Sequence, residues 1–385
     1  MHKNSSFLLT RLSKYLKSAC RMLSTAENQH VLTKEVGDKA VIILNRPKSL
    51  NALGTILNRQ LTESLRKCIN EKSLIILKGA GDKAFSAGGD LLEVKAYFED
   101  GQWKKLTELI VDLNINIYLI HTSKVPVIAF MNGITFGGGA GISSFATYKI
   151  ATENTQFAMP ESKIAFHPNS GGTYFLNRAK GRLGYYLGLT GNTLKGSDVF
   201  QAGFATHYCL SKNLETLEKA ILYSSKQDSI NEIIDDICER NIPDFSLAPV
   251  MDSINRCFAA PTVEDILKKL DEDGTDWAKK TVENLRKYSP TSLKVILRQL
   301  QKGRHFNLEE CLVMESNLTV NFYHFPDVIE GTRTTLINKG EIAQWNPSRL
   351  ESVTEELINQ HFEESAGEEQ RKMLRKLQIN VNSKI

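Results

Sequence analysis

Residues 126–141 read PVIAFMNGITFGGGAG, an apolar run behind a proline that leads into three consecutive glycines. The apolar run predicts a buried strand, and the residues after the glycines continue as a helix. Glycines at such a junction let the backbone turn tightly and approach a neighbouring segment or a ligand without a side-chain clash. The order of strand, glycine turn and helix is typical of an α/β architecture.

The same alternation of strand and helix patterns extends on both sides of this stretch, up to about residue 210. It begins with a hairpin, because a Gly-Asp turn separates a polar strand from an apolar one. Beyond residue 210, helical patterns dominate. We therefore predict an α/β core over 30–210 and a mostly helical region over 211–362. The individual patterns are a hairpin at 34–47, helices at 52–69 and 103–121, and strands at 73–81, 126–133 and 148–159.

The N-terminal segment carries the basic charge of the chain. Residues 1–26 hold five Lys or Arg and no acidic residue, so a net charge of +4 for the whole chain leaves −1 for 27–385. Leucines on one helical face, basic side chains on the other, and serines without acids are typical of a mitochondrial presequence. We therefore predict a presequence over 1–26 and a location in the mitochondrial matrix. A surface-bound membrane helix and the C-terminal SKI, close to a peroxisomal signal, are the weaker alternatives.

Composition excludes several classes of protein. The near-neutral body gives no electrostatic case for nucleic-acid binding, and no apolar stretch of about 18 residues is present to span a bilayer. The six cysteines form no CxxC pair, which is typical of reduced structural thiols. Residues 363–385 carry many charges of both signs, and we expect this tail to be flexible.

Two glycine turns and one proline-rich segment are candidates for chemistry. The turns are KAFSAGGDL (83–91) and GITFGGGAG (133–141), and each follows an apolar strand. Backbone N–H groups at such turns can stabilise negative charge that develops on a carbonyl oxygen. The segment AMPESKIAFHPNSGG (158–172) holds one carboxylate, Glu161, and one amide, Asn169, between prolines and glycines. The three segments together predict a cleft with an oxyanion hole and one acid–base group.

Other common sites are missing from the sequence. It contains neither the GxxxxGK[ST] phosphate loop nor GxGxxG, and no GxSxG elbow or HExxH helix. Its histidines have no visible Ser or Cys partner, so a catalytic triad is unsupported. We predict no metal site and no cofactor.

The combined motifs resemble the crotonase (enoyl-CoA hydratase/isomerase) superfamily, and within it most closely the 3-hydroxyisobutyryl-CoA hydrolase family. The resemblance covers about residues 30–362. The motifs that carry it are LNRPKSLNAL (44–53), KAFSAGGDL, PVIAFMNGITFGGGAG, FAMPE (157–161), TGNTLKGSDVFQAGFATH (190–207), SPTSLKVILRQL (289–300), DVIEGTRTTLINK (327–339) and WNPSRL (345–350).

This resemblance implies a fold and a set of site residues. The fold is the crotonase spiral of repeated ββα units, followed by helices. The implied oxyanion donors are the amides of Ala87 and Gly138, and Glu161 is the catalytic carboxylate, as base or as nucleophile. Hydratases of the superfamily carry a second glutamate where this chain has Gly141. Further substrate-binding positions are Gly89, Asp90 and Leu113.

Three of the implied positions depart from the hydrolase pattern. Asn169 stands where the family has an aspartate, Leu113 where it has an acid, and Phe136 where it often has methionine. An amide forms hydrogen bonds but does not exchange protons near pH 7. Asn169 therefore suffices if the aspartate positions substrate, whereas loss of proton transfer would lower the rate about 10²–10⁴-fold.

The resemblance implies hydrolysis of a short-chain hydroxyacyl-CoA, foremost 3-hydroxyisobutyryl-CoA in valine catabolism, with CoA as part of the substrate. The departures leave a second reading open, in which a weakly active or non-catalytic relative serves as a binding protein, for example in the mitochondrial ribosome. A third reading is another crotonase-type reaction such as isomerisation. Many relatives build trimers, so a homo-oligomer also stays open.

Overall fold

The computed structural model describes residues 29–225, 229–338, 340–366, 368–373 and 375, and the presequence predicted over 1–26 lies outside them. Its strands form two sheets. One has six strands in the order β1-β2-β3-β5-β7-β10, and the other has four in the order β4-β6-β8-β9. The strands are β1 (Val31–Val36), β2 (Lys39–Leu44), β3 (Leu74–Gly79), β4 (Ala84–Ser86), β5 (Val127–Met131), β6 (Ile134–Phe136), β7 (Tyr148–Ala151), β8 (Gln156–Ala158), β9 (Leu194–Lys195) and β10 (His207–Tyr208).

Helices follow the strands in the first half of the chain and dominate the second half. Up to residue 210 they are α1 (Thr55–Glu71), α2 (Leu91–Glu99), α3 (Trp103–His121), α4 (Gly138–Ser144), α5 (Gly172–Leu176), α6 (Leu183–Thr190) and α7 (Ser197–Gln201). Beyond it they are α8 (Leu214–Tyr223), α9 (Ile230–Ile237), α10 (Met251–Cys257), α11 (Val263–Asp273), α12 (Asp276–Leu285), α13 (Pro290–Lys302), α14 (Leu308–Phe322), α15 (Pro326–Thr332) and α16 (Glu355–His361).

The two sheets are built by the same repeating unit. The strand pairs β3–β4, β5–β6 and β7–β8 each place their first strand in the six-stranded sheet and their second in the four-stranded sheet. Neighbouring strands from successive units pair in parallel, whereas β1 and β2 pair as an antiparallel hairpin. The α/β architecture of ββα units is therefore confirmed. Because β4, β6 and β8 are parallel neighbours, the turns that follow them lie at one edge of the four-stranded sheet.

Burial explains why these segments form these elements. Every residue of β2 and of β5 is buried, as expected for strands covered on both faces. Helix α1 buries Leu57, Leu61 and Leu65, the face that the four-residue spacing predicts. Helix α3 buries eight consecutive residues from Leu113 to Ile120, because other elements surround its second half.

One sequence prediction was too coarse. The strand predicted over 148–159 is two strands, β7 and β8, in different sheets. A turn separates them, in which the amide of Thr152 donates to Thr155 Oγ1 at 2.7 Å. Strand β6, between the apolar run and the glycines, was also missed. The apolar patterns indicated where strands occur, but not the corner that sends the chain from one sheet to the other.

The C-terminal helices pack back onto the spiral. Gly331 of α15 lies so close to Ile164 that a β-carbon on Gly331 would touch the Ile164 carbonyl oxygen. The described part of the tail is also packed, which differs from the expected flexibility. Residues 368–373 are helical, Gln370 is fully buried, and its Oε1 accepts a hydrogen bond from Asn114 Nδ2 at 3.2 Å.

Two further findings concern the described residues. None of their helices is both long and apolar enough to cross a bilayer. Their five cysteines are all buried and form no disulfide, in keeping with structural thiols, and the sixth, Cys20, lies outside the described residues.

Candidate active site

A cavity of about 430 Å³ opens where the two glycine turns meet the short 3₁₀ helix Glu161–Ile164 and helices α2, α3 and α14. A larger depression of about 670 Å³ lies at α11 and α12, but it holds none of the residues predicted for the site. The cavity at the glycine turns is therefore the candidate active site. Its lining includes six of the seven predicted residues, namely Glu161, Asn169, Ala87, Gly138, Gly89 and Leu113.

The seventh predicted residue, Asp90, does not line the cavity. Its carboxylate caps α2 by accepting a hydrogen bond from the Glu93 amide at 3.3 Å, and it pairs with Arg46 Nη1 at 2.7 Å. Such caps are a common use of aspartate in front of a helix. Asp90 thus shapes the first glycine turn, in place of the expected contact with substrate.

One oxyanion donor needs correction. The amide of Ala87 donates to the Leu50 carbonyl at 2.9 Å, and that of Gly88 to Ser86 Oγ at 3.2 Å, so neither is free for a substrate. The amide of Gly89 has no hydrogen-bond partner among the described residues, and Gly89 lines the cavity. The donor on this turn is therefore Gly89, two residues beyond the predicted Ala87.

The second glycine turn supplies the other donor. Gly138 is the first residue of α4, and its amide also lacks a partner within the described part of the chain. The two turns are in close backbone contact, because a β-carbon on Gly88 would lie 2.8 Å from the Phe136 carbonyl oxygen and 3.2 Å from the Gly138 nitrogen. Only glycine, here with φ of +94°, permits this approach. It sets two free N–H groups side by side, as an oxyanion hole requires.

Glu161 lies beside this pair of amides. A β-carbon on the neighbouring Gly137 would be 2.8 Å from Glu161 Oε1, and Glu161 Oε2 is buried without a partner among the described residues. Burial, with a smaller contribution from the charge of Glu315, raises the pKa of Glu161 to about 8. A buried carboxyl with a free oxygen and a pKa near neutrality suits proton transfer or nucleophilic attack.

Glu315 is a second carboxylate that sequence reasoning missed. It belongs to α14, lines the cavity, and is 1% exposed. Its two oxygens accept hydrogen bonds from the amides of Gly171 at 2.7 Å and Thr173 at 2.8 Å. Burial raises the pKa of Glu315 to about 7, although these two bonds oppose the shift. The one signal in the sequence is a carboxylate inside the apolar run CLVMESNL (311–318).

Asn169 sits on the loop that Glu315 holds. Its side-chain oxygen accepts a hydrogen bond from Ser170 Oγ at 2.9 Å, and its Nδ2 group has no hydrogen-bond partner among the described residues. Ser170 has a φ of +56°, an unusual conformation for a residue with a side chain. The two bonds to Glu315 help to hold this strained loop in place. Asn169 therefore offers a hydrogen-bond donor to the cavity.

The acid missing at Leu113 is not replaced by a neighbour on α3. Asp112 points to the surface and pairs with Arg59 at 3.1 Å. Asn114 is buried and donates to Ser316 Oγ at 3.1 Å as well as to Gln370. Leu113 itself lines the cavity, as does Phe136. Asp112 therefore does not stand in for the acid in the cavity.

Gly141 has no room for a side chain. A β-carbon there would touch the Ser170 carbonyl oxygen and lie 2.7 Å from the Ser170 β-carbon. The absence of a second glutamate at this position is thus built into the packing, since the Asn169–Ser170 loop occupies the space. The arrangement does not support the two-glutamate chemistry of hydratases.

His167 packs and does not reach into the chemistry. It is fully buried, stacks on Phe322, and its ring nitrogens lie 3.1 Å from the Pro168 carbonyl and 3.0 Å from Thr319 Oγ1. Burial lowers the pKa of His167 to about 3, so the imidazole is neutral at physiological pH.

As for metals, no group of three or more His, Cys, Asp or Glu side chains in the described ranges could hold an ion.

Comparison with known sequences places these features in a family. The sequence model for enoyl-CoA hydratase/isomerase matches residues 39–362. The chain is 40% identical over 360 residues to the mitochondrial 3-hydroxyisobutyryl-CoA hydrolase of Homo sapiens, with 91% of each chain covered. It is 38% identical over 374 residues to the protein of the same name from Danio rerio, covering 93% of this chain and 97% of that one.

Solved structures agree with the fold. A carnitinyl-CoA dehydratase from Mycobacterium thermoresistibile superposes with a TM-score of 0.80 at 28% identity, covering 87% of this chain and 96% of that one. An enoyl-CoA hydratase from Rhodobacter sphaeroides superposes with a TM-score of 0.79 at 30% identity, covering 86% and 97%.

Proposed function

Because the chain belongs to the enoyl-CoA hydratase/isomerase family, we propose that it hydrolyses the thioester of 3-hydroxyisobutyryl-CoA, in valine catabolism, to 3-hydroxyisobutyrate and CoA. The relatives of that name support the substrate. The observation that carries the proposal is the buried Glu161 carboxyl next to two backbone amides. In the described part of the chain, one oxygen of this carboxyl and both amides have no hydrogen-bond partner.

The geometry suits each step of thioester hydrolysis. The amides of Gly89 and Gly138 receive the carbonyl oxygen, which becomes negatively charged in the tetrahedral intermediate. Losing one such donor costs about 3–4 kcal/mol in a well-studied protease. Ionised Glu161 either takes a proton from the attacking water or attacks the carbonyl carbon itself, and water then cleaves the anhydride. In both routes the C–S bond breaks and CoA leaves as the thiolate. Its sulfur then receives the proton that Glu161 took from water in the first route, or a proton released when water hydrolyses the anhydride in the second.

Several expectations belong to the same proposal. Water is the second substrate, so the reaction needs no cofactor, and CoA enters as part of the substrate. Relatives described as mitochondrial support the mitochondrion as the compartment, and we propose the matrix, where valine is broken down. Association with copies of itself or with ribosomal subunits stays an open prediction.

The test is free-thiol release from 3-hydroxyisobutyryl-CoA by the purified 385-residue chain. We expect turnover of at least about 1 s⁻¹, the low end of ordinary enzymes, and its loss in Glu161→Ala. Glu356→Gln, an exposed carboxyl on α16, is the matched control and should retain full activity. A silent wild type that Asn169→Asp revives would contradict the proposal, and would favour the non-catalytic binding role.

A further inference from the structure

One wall of the cavity is aliphatic along the length of a helix. Helix α3 presents Leu106, Leu109, Ile110 and Leu113 to the cavity, a spacing of three, one and three residues that places them on a single helical face. Leu91 and Val94 of α2 extend this wall. We call these six side chains the α3 wall.

The α3 wall reaches the position of the reacting carbonyl. Leu113 Cδ2 would lie 3.2 Å from a β-carbon on Gly138, the residue whose amide is one oxyanion donor. Leu53 Cδ1 approaches the same point at 3.0 Å. Ser170 Oγ lies 3.6 Å from the same point and donates to Asn169. The groups nearest to the carbons that follow the thioester carbonyl are therefore methyl groups.

The polar side chains near this wall are already engaged with the protein. Asn114 donates to Ser316 and Gln370, Thr319 bonds His167, and Glu315 accepts two backbone amides. Two of the lining groups without a partner in the described ranges are Asn169 Nδ2 and the Tyr323 hydroxyl. Neither belongs to α3, although Tyr323 lies near Leu91 and Val94 at the α2 end of the wall. An acyl hydroxyl that faces the wall would lose water and gain no hydrogen bond there.

We propose that the same site hydrolyses short-chain aliphatic acyl-CoA thioesters that lack a 3-hydroxyl group, with isobutyryl-CoA as the direct comparator. The inference rests on the proposed function and on the same reaction, in which the water oxygen bonds to the acyl carbon, the C–S bond breaks, and the sulfur leaves as the thiol. A site built around a substrate hydroxyl rejects the analogue without it by about 10⁴–10⁵-fold. An acyl group that lies against the α3 wall meets no hydrogen-bonding group there that could make this discrimination.

Thiol release by the 385-residue chain from the two thioesters tests the inference. We expect kcat/KM for isobutyryl-CoA within about tenfold of that for 3-hydroxyisobutyryl-CoA. A preference for the hydroxyacyl thioester of more than tenfold would overturn the inference while leaving the proposed function intact. If neither thioester releases thiol, the proposed function fails and the inference falls with it.

Two variants at one position isolate the wall. Leu113→Gln places an amide beside the acyl group, and we expect it to shift the ratio of kcat/KM values towards the hydroxyacyl thioester by about tenfold, the effect of one hydrogen bond. Leu113→Met changes the shape but stays apolar, so it should leave the ratio where it is in wild type. Equal ratios in both variants would show that Leu113 does not contact the acyl group.

Discussion

The spiral core and the C-terminal helices contribute different things to one site. The core supplies backbone, the amides of Gly89 and Gly138, together with Glu161 on a short 3₁₀ helix. The C-terminal region supplies side chains, above all Glu315 on α14, which fixes the loop of Asn169. The pair of backbone amides thus depends on a local fold of the core. The pKa of Glu161 is raised mainly by burial and also by the charge of Glu315, on a helix more than 140 residues away.

The largest expected effect belongs to the core. Glu161→Gln removes the group that ionises, and we expect kcat to fall by about 10²–10⁴-fold, the usual contribution of acid–base catalysis. Steady-state thiol release measures it. Activity within tenfold of wild type would mean that Glu315 or water carries the chemistry, and would move the functional centre to the C-terminal region.

Glu161→Gln should also raise the thermal stability of the protein at high pH, although it lowers the activity. Because the pKa of Glu161 in the folded protein is raised to about 8, its protonated form favours folding, and that contribution is lost as pH rises from about 4.5 through 8. We expect Glu161→Gln to have a higher Tm than wild type at pH 9 and a similar Tm at pH 5. Equal Tm values at both pH values would show that burial does not shift this carboxyl.

The next largest effect concerns stability, through the packing of Gly141 against Ser170. Gly141→Ala forces a β-carbon against Ser170, and we expect a loss of about 1–3 kcal/mol in the free energy of unfolding, typical of overpacking. Gly89→Ala is the matched control, because a β-carbon there meets no atom within 4 Å. Urea unfolding of both variants compares them. A tolerated Gly141→Ala would show that the loop yields and that a hydratase-like side chain could fit.

Glu315→Gln tests what the C-terminal region contributes to the site. The amide can accept one of the two backbone hydrogen bonds but not both, so we expect kcat to fall by about tenfold, the effect of one hydrogen bond. Removing the charge of Glu315 lowers the pKa of Glu161, so the rising limb of the pH–rate profile should move to lower pH.

Glu310→Gln makes the same charge change on the same helix, at a capping-box position where glutamine also functions. It should leave the profile in place. If Glu315→Gln lowers kcat but leaves the rising limb of the pH–rate profile at the wild-type pH, Glu315 has only a structural role.

The smallest effect concerns the tail. Gln370→Ala leaves Asn114 Nδ2 without its Gln370 partner, and we expect a loss of about 1 kcal/mol in the free energy of unfolding. Glu369→Ala, at the exposed neighbouring position, should change it by less than half of that. Thermal unfolding of both compares them. Equal stability of the two variants would indicate that the tail does not hold α3.

The sequence predicted what is encoded locally and missed what depends on distant packing. Glycine turns behind apolar strands predict backbone donors, and Glu161 stood out beside its proline. The error of two residues at Ala87 arose because the sequence does not show which amides are already hydrogen-bonded. Glu315 was not predicted, because a single carboxylate in a helical pattern gives no sign of function. Its role follows from the hydrogen bonds that it accepts from the distant loop at Gly171 and Thr173. The packing of the tail was missed for the same reason. Gln370 lies in a stretch of sequence rich in charged residues, which gives no sign that its side chain is buried.

The close contact of α15 with the Glu161 helix has a consequence for synthesis on the ribosome. Gly331 packs on the backbone of Ile164, yet it emerges about 170 residues after Glu161. At 5–20 residues per second this delay is on the order of ten seconds. Until then the C-terminal residues that line the cavity beside Glu161, such as Glu315 and Tyr323, are not yet in place. We therefore expect the nascent chain to carry every motif of the spiral before it has activity, and to gain activity when its last helices fold back.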